Sequence, residues 1–77
     1  MTTLDTTDAN AVRRRCIVWD ATESMKYGTL LHQMGGRPGV DPYGWTRQRI
    51  DAAIQSGIAF RLLELVERAD GFYVHAL

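Results

Sequence analysis

Apolar residues are spaced in three different ways along this chain, and each spacing predicts a different element. Tyr27, Leu30, Leu31 and Met34 recur at i, i+3, i+4 and i+7, the stripe of an amphipathic helix. Asp20 and Glu23 have capping-box spacing, so this helix is expected within residues 20–36, stopped by Gly35 and Gly36 as left-handed caps. Gly28 weakens its first turn, which allows a later start at Thr29. Ile50, Ala53 and Ile54 repeat the helical spacing in "TRQRIDAAIQSG", with Gly57 as the closing residue. Either Asp41 followed by Pro42, or Thr46, supplies the start of that helix. Cys16 to Trp19 form instead an unbroken apolar run. Such a run suits a strand over residues 14–19, the alternative being a first helix with Val12, Cys16 and Trp19 on one stripe.

The third spacing is alternation, on both sides of Asp70-Gly71. Asp-Gly is the signal of a two-residue type I′ hairpin turn, which sets Arg68 opposite Tyr73, Val66 opposite His75 and Leu65 opposite Ala76. One face then holds Leu63, Leu65, Phe72, Val74 and Ala76 with Glu67 among them, and this face should cover the core. The other holds Leu62, Glu64, Val66, Arg68, Tyr73, His75 and Leu77.

"MTTLDTTDAN" carries one large apolar residue, Leu4, so residues 1–10 are expected to be a mobile arm and residues 11–77 a single domain. A chain of 77 residues is close to the lower size limit for unaided folding. It buries only about 60% of its unfolded surface, and a partner or a homodimer would add to that. "GGRPGVDPYG" reads as a loop by its Gly and Pro content. No run of about 18 apolar residues and no signal-peptide pattern occurs, so a cytoplasmic protein without membrane contact is expected.

Charge adds a regional bias. The net charge is zero. Residues 13–49 nevertheless hold six arginines and Lys26 against Asp20, Glu23 and Asp41, a net +4, while the flanking segments are acidic. Eight arginines to one lysine suggests a high-GC genome, in keeping with a phage or mobile element. Cys16 has no second cysteine to pair with or to share a metal, and is expected as a buried small hydrophobe. His32, His75, Ser24, Ser56 and Cys16 share no catalytic spacing. The glycine-rich loop lacks the Gly-Lys-Ser/Thr of a phosphate cradle. No enzyme, metal or cofactor is expected.

Helix, loop, helix and hairpin, in that order, resemble the winged helix-turn-helix DNA-binding family. The likeness covers roughly residues 28–77 and is carried by "TRQRIDAAIQSGIAFRLLELVERADGFYV". It implies an α+β domain: two helices, or three if residues 11–19 are helical, packed on a short antiparallel sheet with a C-terminal β-hairpin. It also implies a DNA-binding accessory or transcription-regulatory protein. The helix from Thr46 would enter the major groove of double-stranded DNA, with Arg47, Gln48, Asp51 and Gln55 toward the bases and Arg49 beside them. Arg13, Arg14, Arg15 and Arg37 would reach phosphates, and Asp70 and Gly71 would tip the wing. Arginine pairs bidentately with guanine and glutamine with adenine. Against this, Asp51 lies one turn from Arg47 and competes for it, the wing tip lacks basic residues, and residues 35–41 outrun a three- to four-residue turn. The alternative is a protein-interaction module, for instance one that binds and inhibits a host protein, with Tyr43, Trp45 and Tyr73 as anchors.

Overall fold

The structure, a computed structural model, describes residues 6–77. Three helices and a three-stranded antiparallel sheet follow in the order α1 (Thr7–Trp19), β1 (Ser24–Lys26), α2 (Tyr27–Met34), α3 (Arg47–Ala59), β2 (Leu63–Arg68) and β3 (Gly71–Ala76). The expected α+β class with a C-terminal hairpin is what the chain forms. Strand order is β1-β3-β2, so the last strand lies in the middle. Among the described residues no helix is long and apolar enough to cross a membrane.

The strand expected over residues 14–19 is instead the second half of α1, which makes three helices. Only Cys16 of its apolar run is buried, while Ile17, Val18 and Trp19 are exposed. The stripe that decides the matter is Ala9, Val12 and Cys16, a helical spacing whose inner residues touch the core. The arm expected over residues 1–10 thereby gives up Thr7 to Asn10 to α1, and its first five residues lie outside the described part.

The helix expected within residues 20–36 is split. Asp20 caps no helix start. Its carboxylate accepts hydrogen bonds from the Thr22 N–H at 2.9 Å and hydroxyl at 2.5 Å, an Asx turn that redirects the chain after α1. Glu23, at φ 56°, completes the reversal into β1. The apolar stripe itself holds, with Leu30 and Met34 buried and Tyr27 and Leu31 packed at the core's margin. Gly28 sits in the first turn of α2, so the later start at Thr29 is not used. Gly35 is extended rather than left-handed, and the positive φ falls on Gly36.

Thr46 supplies the start of α3, its hydroxyl accepting the Arg49 N–H at 3.1 Å. Asp41 instead closes the preceding loop by accepting the Arg37 N–H at 2.6 Å. Gly57 does not end α3. A Cβ there would stand 2.4 Å from Leu63 Cδ1, so the missing side chain lets helix and β2 approach.

The hairpin forms, but its register is shifted by two residues from the one Asp-Gly implies: Arg68 faces Gly71, Val66 faces Tyr73 and Leu65 faces Val74. The turn residues are Ala69 and Asp70. Neither has the positive φ that type I′ requires, and the left-handed position falls on Gly71 at φ 131°. A two-residue slip preserves which face each side chain takes, because the strand period is two. Leu63, Val74 and Ala76 are accordingly buried. Leu65, Phe72 and Glu67 share their face but lie beyond the covered part, and are exposed.

Candidate nucleic-acid interface

The Thr46 cap and the buried stripe of Ile50, Ala53, Ile54 and Gly57 fix α3 in rotation. The edge flanking that stripe on the Ile54 side presents Arg47, Gln48 and Gln55 to solvent, with Asp51 half-buried beside them. Next to that edge, Tyr27, Asp51, Ile54, Gln55, Leu65 and Phe72 line an open groove of about 270 Å³ between the helices and the hairpin.

Asp51 organises this corner. It accepts a hydrogen bond from the Tyr27 hydroxyl on Oδ1 and pairs through Oδ2 with Arg47 Nε at 3.8 Å. The hydrogen bond to Asp51 raises the Tyr27 phenol above its ordinary value, and burial adds to the shift, so the ring keeps its proton as donor. Contact with Tyr27, then the charge of Asp51, raises Arg47. The competition expected between Asp51 and the reading role of Arg47 is thus a real contact. It is also a weak one, since Arg47 remains 75% exposed and exposed i, i+4 pairs contribute little.

The arginines divide into two sets. Arg49 turns away from the edge formed by Arg47, Gln48 and Gln55: it grips Asp8 of α1 with Nε at 2.9 Å and Nη2 at 3.1 Å, and lies 4.1 Å over the Trp45 ring. Arg13 donates twice to the Leu77 carbonyl, at 2.9 and 2.7 Å, joining α1 to the end of the chain. Arg15 is partly buried against Gln33 at 3.3 Å. These three hold elements together and leave the candidate surface. Arg14 and Arg37 are exposed and, with Arg47, make up the basic side chains still presented from the expected set.

The aromatic anchors also change status. Trp45 is a core residue, 8% exposed, with Tyr43 edge-on at 5.7 Å. A side chain enclosed by its own domain offers no contact area, so Trp45 is not an interface anchor. Tyr73 is half-buried on the outer sheet face, donating to Asp70 at 2.7 Å beneath the Arg68 guanidinium at 4.7 Å. Lys26 adds an ion pair to the same Asp70 at 3.7 Å, so the acidic hairpin turn is partly neutralised.

Two features of the site escaped the sequence. One is Tyr27 as the partner of Asp51, which needs α2 and α3 packed together. The other is the exposure of Leu65 and Phe72, whose alternation gives their face but not where cover ends. No family model, curated protein sequence or solved structure matches the chain.

Proposed function

We propose that this chain is a small DNA-binding accessory or regulatory protein of winged-helix type, with α3 laid in the major groove. The observation that carries the reading is the polar edge of Arg47, Gln48 and Gln55 on a helix whose rotation is fixed by a full buried stripe. Rigid presentation of two side-chain types that pair bidentately with guanine and adenine suits base readout. The order of α2, a connection, α3 and the β2–β3 hairpin is consistent with that docking. Arg14 and Arg37 would add phosphate contacts.

With about three phosphate-neutralising arginines, affinity for duplex DNA should fall about 40-fold between 50 and 200 mM salt, from a slope of about −0.9 per contact. Electrophoretic mobility shift of the purified protein reads this directly. No shift at any salt with random-sequence duplex removes the proposal. The second reading, a protein-interaction module, draws on Leu65 and Phe72, exposed in the groove beside α3. Leu65→Ser with Phe72→Ser abolishes a protein complex made through the groove and leaves a DNA shift in place.

A further inference from the structure

Strand β2 lies at an edge of the sheet, and its hydrogen-bonding phase shows what that edge offers. The Leu77 N–H donates to the Leu62 carbonyl at 3.0 Å, which with the β2–β3 register turns Glu64, Val66 and Arg68 toward β3. Leu65 and Glu67 then point their N–H and C=O groups outward, because an antiparallel ladder alternates residue by residue. Among the described residues no other group bonds to them. Open edges are commonly guarded by lysines, a proline, a bulge or an inward-pointing charge. β2 has no lysine and no proline, and its ladder runs unbroken from Leu63 to Arg68. Its outer face carries charges of opposite sign, Glu64 and Arg68, with Val66 midway between them. Among the described residues neither forms an ion pair within the chain. Arg68 lies 4.7 Å over the Tyr73 ring and so stays on this face.

We infer that β2 is a docking edge for a second copy of this chain, paired antiparallel across a two-fold axis at Val66. Outward groups meet outward groups only when such an axis passes through Leu65, Val66 or Glu67. An axis at Glu67 sets that carboxylate against its own copy, which is repulsive. An axis at Leu65 sets Glu64 against Val66 and leaves both outer charges unmatched. The axis at Val66 sets Glu64 opposite Arg68 of the second copy, and symmetry repeats the match. Leu65 and Glu67 then exchange backbone bonds with Glu67 and Leu65 of the second copy. On the inner face Leu65, 46% exposed in the single chain, meets Leu65 of the second copy diagonally, within reach across a strand pair. Pairing adds buried surface to a chain too small to bury much by itself. None of these contacts uses Arg47, Gln48 or Gln55, so pairing and DNA binding are separable.

Sedimentation equilibrium from about 10 μM to 1 mM spans the dissociation constants of so small an interface. Wild type should dimerise reversibly within that range. Glu64→Arg and Arg68→Glu should each weaken the dimer about tenfold or more, because the two-fold axis makes every like-charge contact occur twice. The double exchange, Glu64→Arg with Arg68→Glu, restores opposite charges and should recover most of the lost affinity. Val66→Cys reads the register. Across the axis the two Val66 positions form a non-hydrogen-bonded pair with Cα atoms about 4.5 Å apart, within disulfide range. In a glutathione redox buffer Val66→Cys should form an intermolecular disulfide, and Glu64→Cys, which faces Arg68, should not. Wild type, whose Cys16 is buried, is the control for both. A wild type that stays monomeric throughout overturns the inference, whatever else the edge binds. So does a dimer insensitive to both charge reversals, a double exchange that recovers nothing, or cross-linking through Glu64→Cys and not Val66→Cys. Far-UV circular dichroism shows that each variant is folded, and the cysteine variants decide if a charge reversal is not.

Discussion

Replacing Trp45 by alanine separates a core residue from an interface anchor. The indole is 8% exposed, packed edge-on against Tyr43 at 5.7 Å and covered by the Arg49 guanidinium at 4.1 Å. It closes the core where the long loop enters α3, and its backbone N–H, bonded to the Met34 carbonyl at 2.9 Å, survives the substitution. The loss is therefore that of the side chain alone. Truncating a buried aromatic to alanine costs about 3–5 kcal/mol, from lost transfer energy and the cavity left behind. At about 0.05–0.15 kcal/mol per residue, a domain of 77 residues has about 4–12 kcal/mol in total. Trp45→Ala should consequently lose about a quarter or more of the domain's stability, and much of the population unfolds if the domain lies at the lower end. Urea unfolding followed by far-UV circular dichroism measures the difference, and Trp45→Phe, which keeps a ring in the space, should lose less. A Trp45→Ala midpoint corresponding to under about 1 kcal/mol would refute the placement of this ring in the core.

Gly57→Ala gains about 1 kcal/mol of helix propensity but drives a methyl group into Leu63, which is 1% exposed and has no room to turn away. Overpacking of this kind costs about 1–3 kcal/mol, so net destabilisation by up to about 2 kcal/mol is expected in denaturant melts, and a stabilised variant would contradict the close approach. Burial raises the Cys16 thiol from its ordinary 9.0 to about 11. A folded-state value above the unfolded one means that its contribution is fully present below pH 9 and is lost as pH rises toward 11. Tyr27 and Tyr73, raised mainly by their hydrogen bonds to Asp51 and Asp70, act in the same direction. Melting temperatures across that range should fall, less steeply in Cys16→Ala, and parallel curves would exclude the thiol as a contributor. Arg49→Ala and Asp8→Ala should each lower the melting temperature, with the double variant no lower than the worse single one, while Arg47→Ala leaves it unchanged; additive losses would show that the Asp8–Arg49 pair is not a unit.

Local pattern determined a good deal of this molecule. The period of Leu30, Leu31 and Met34 and that of Ile50, Ala53 and Ile54 identified two helices and their buried faces, because amphipathic spacing is a property of consecutive residues. Thr46 marked the start of α3 through its own side chain. Alternation in β2 and β3 gave the inner face of the hairpin correctly even though the register was two residues off, since a shift of two leaves every side chain on the same side. What failed locally was the run Cys16 to Trp19, whose four apolar residues fit either element. Packing chose the helix by burying Ala9, Val12 and Cys16. The site divided along the same line. The polar edge of α3 was legible in the sequence, but the fate of each arginine was not. Arg49 met Asp8 across 41 positions and Arg13 met Leu77 across 64, and such pairings exist only once α1 lies against α3 and the end of the chain. Tertiary contact also held Asp51 on Tyr27, beside an Arg47 that stays 75% exposed. Which side chains lie on which face follows from neighbouring residues, whereas which charges remain available depends on partners that only the folded chain brings within reach.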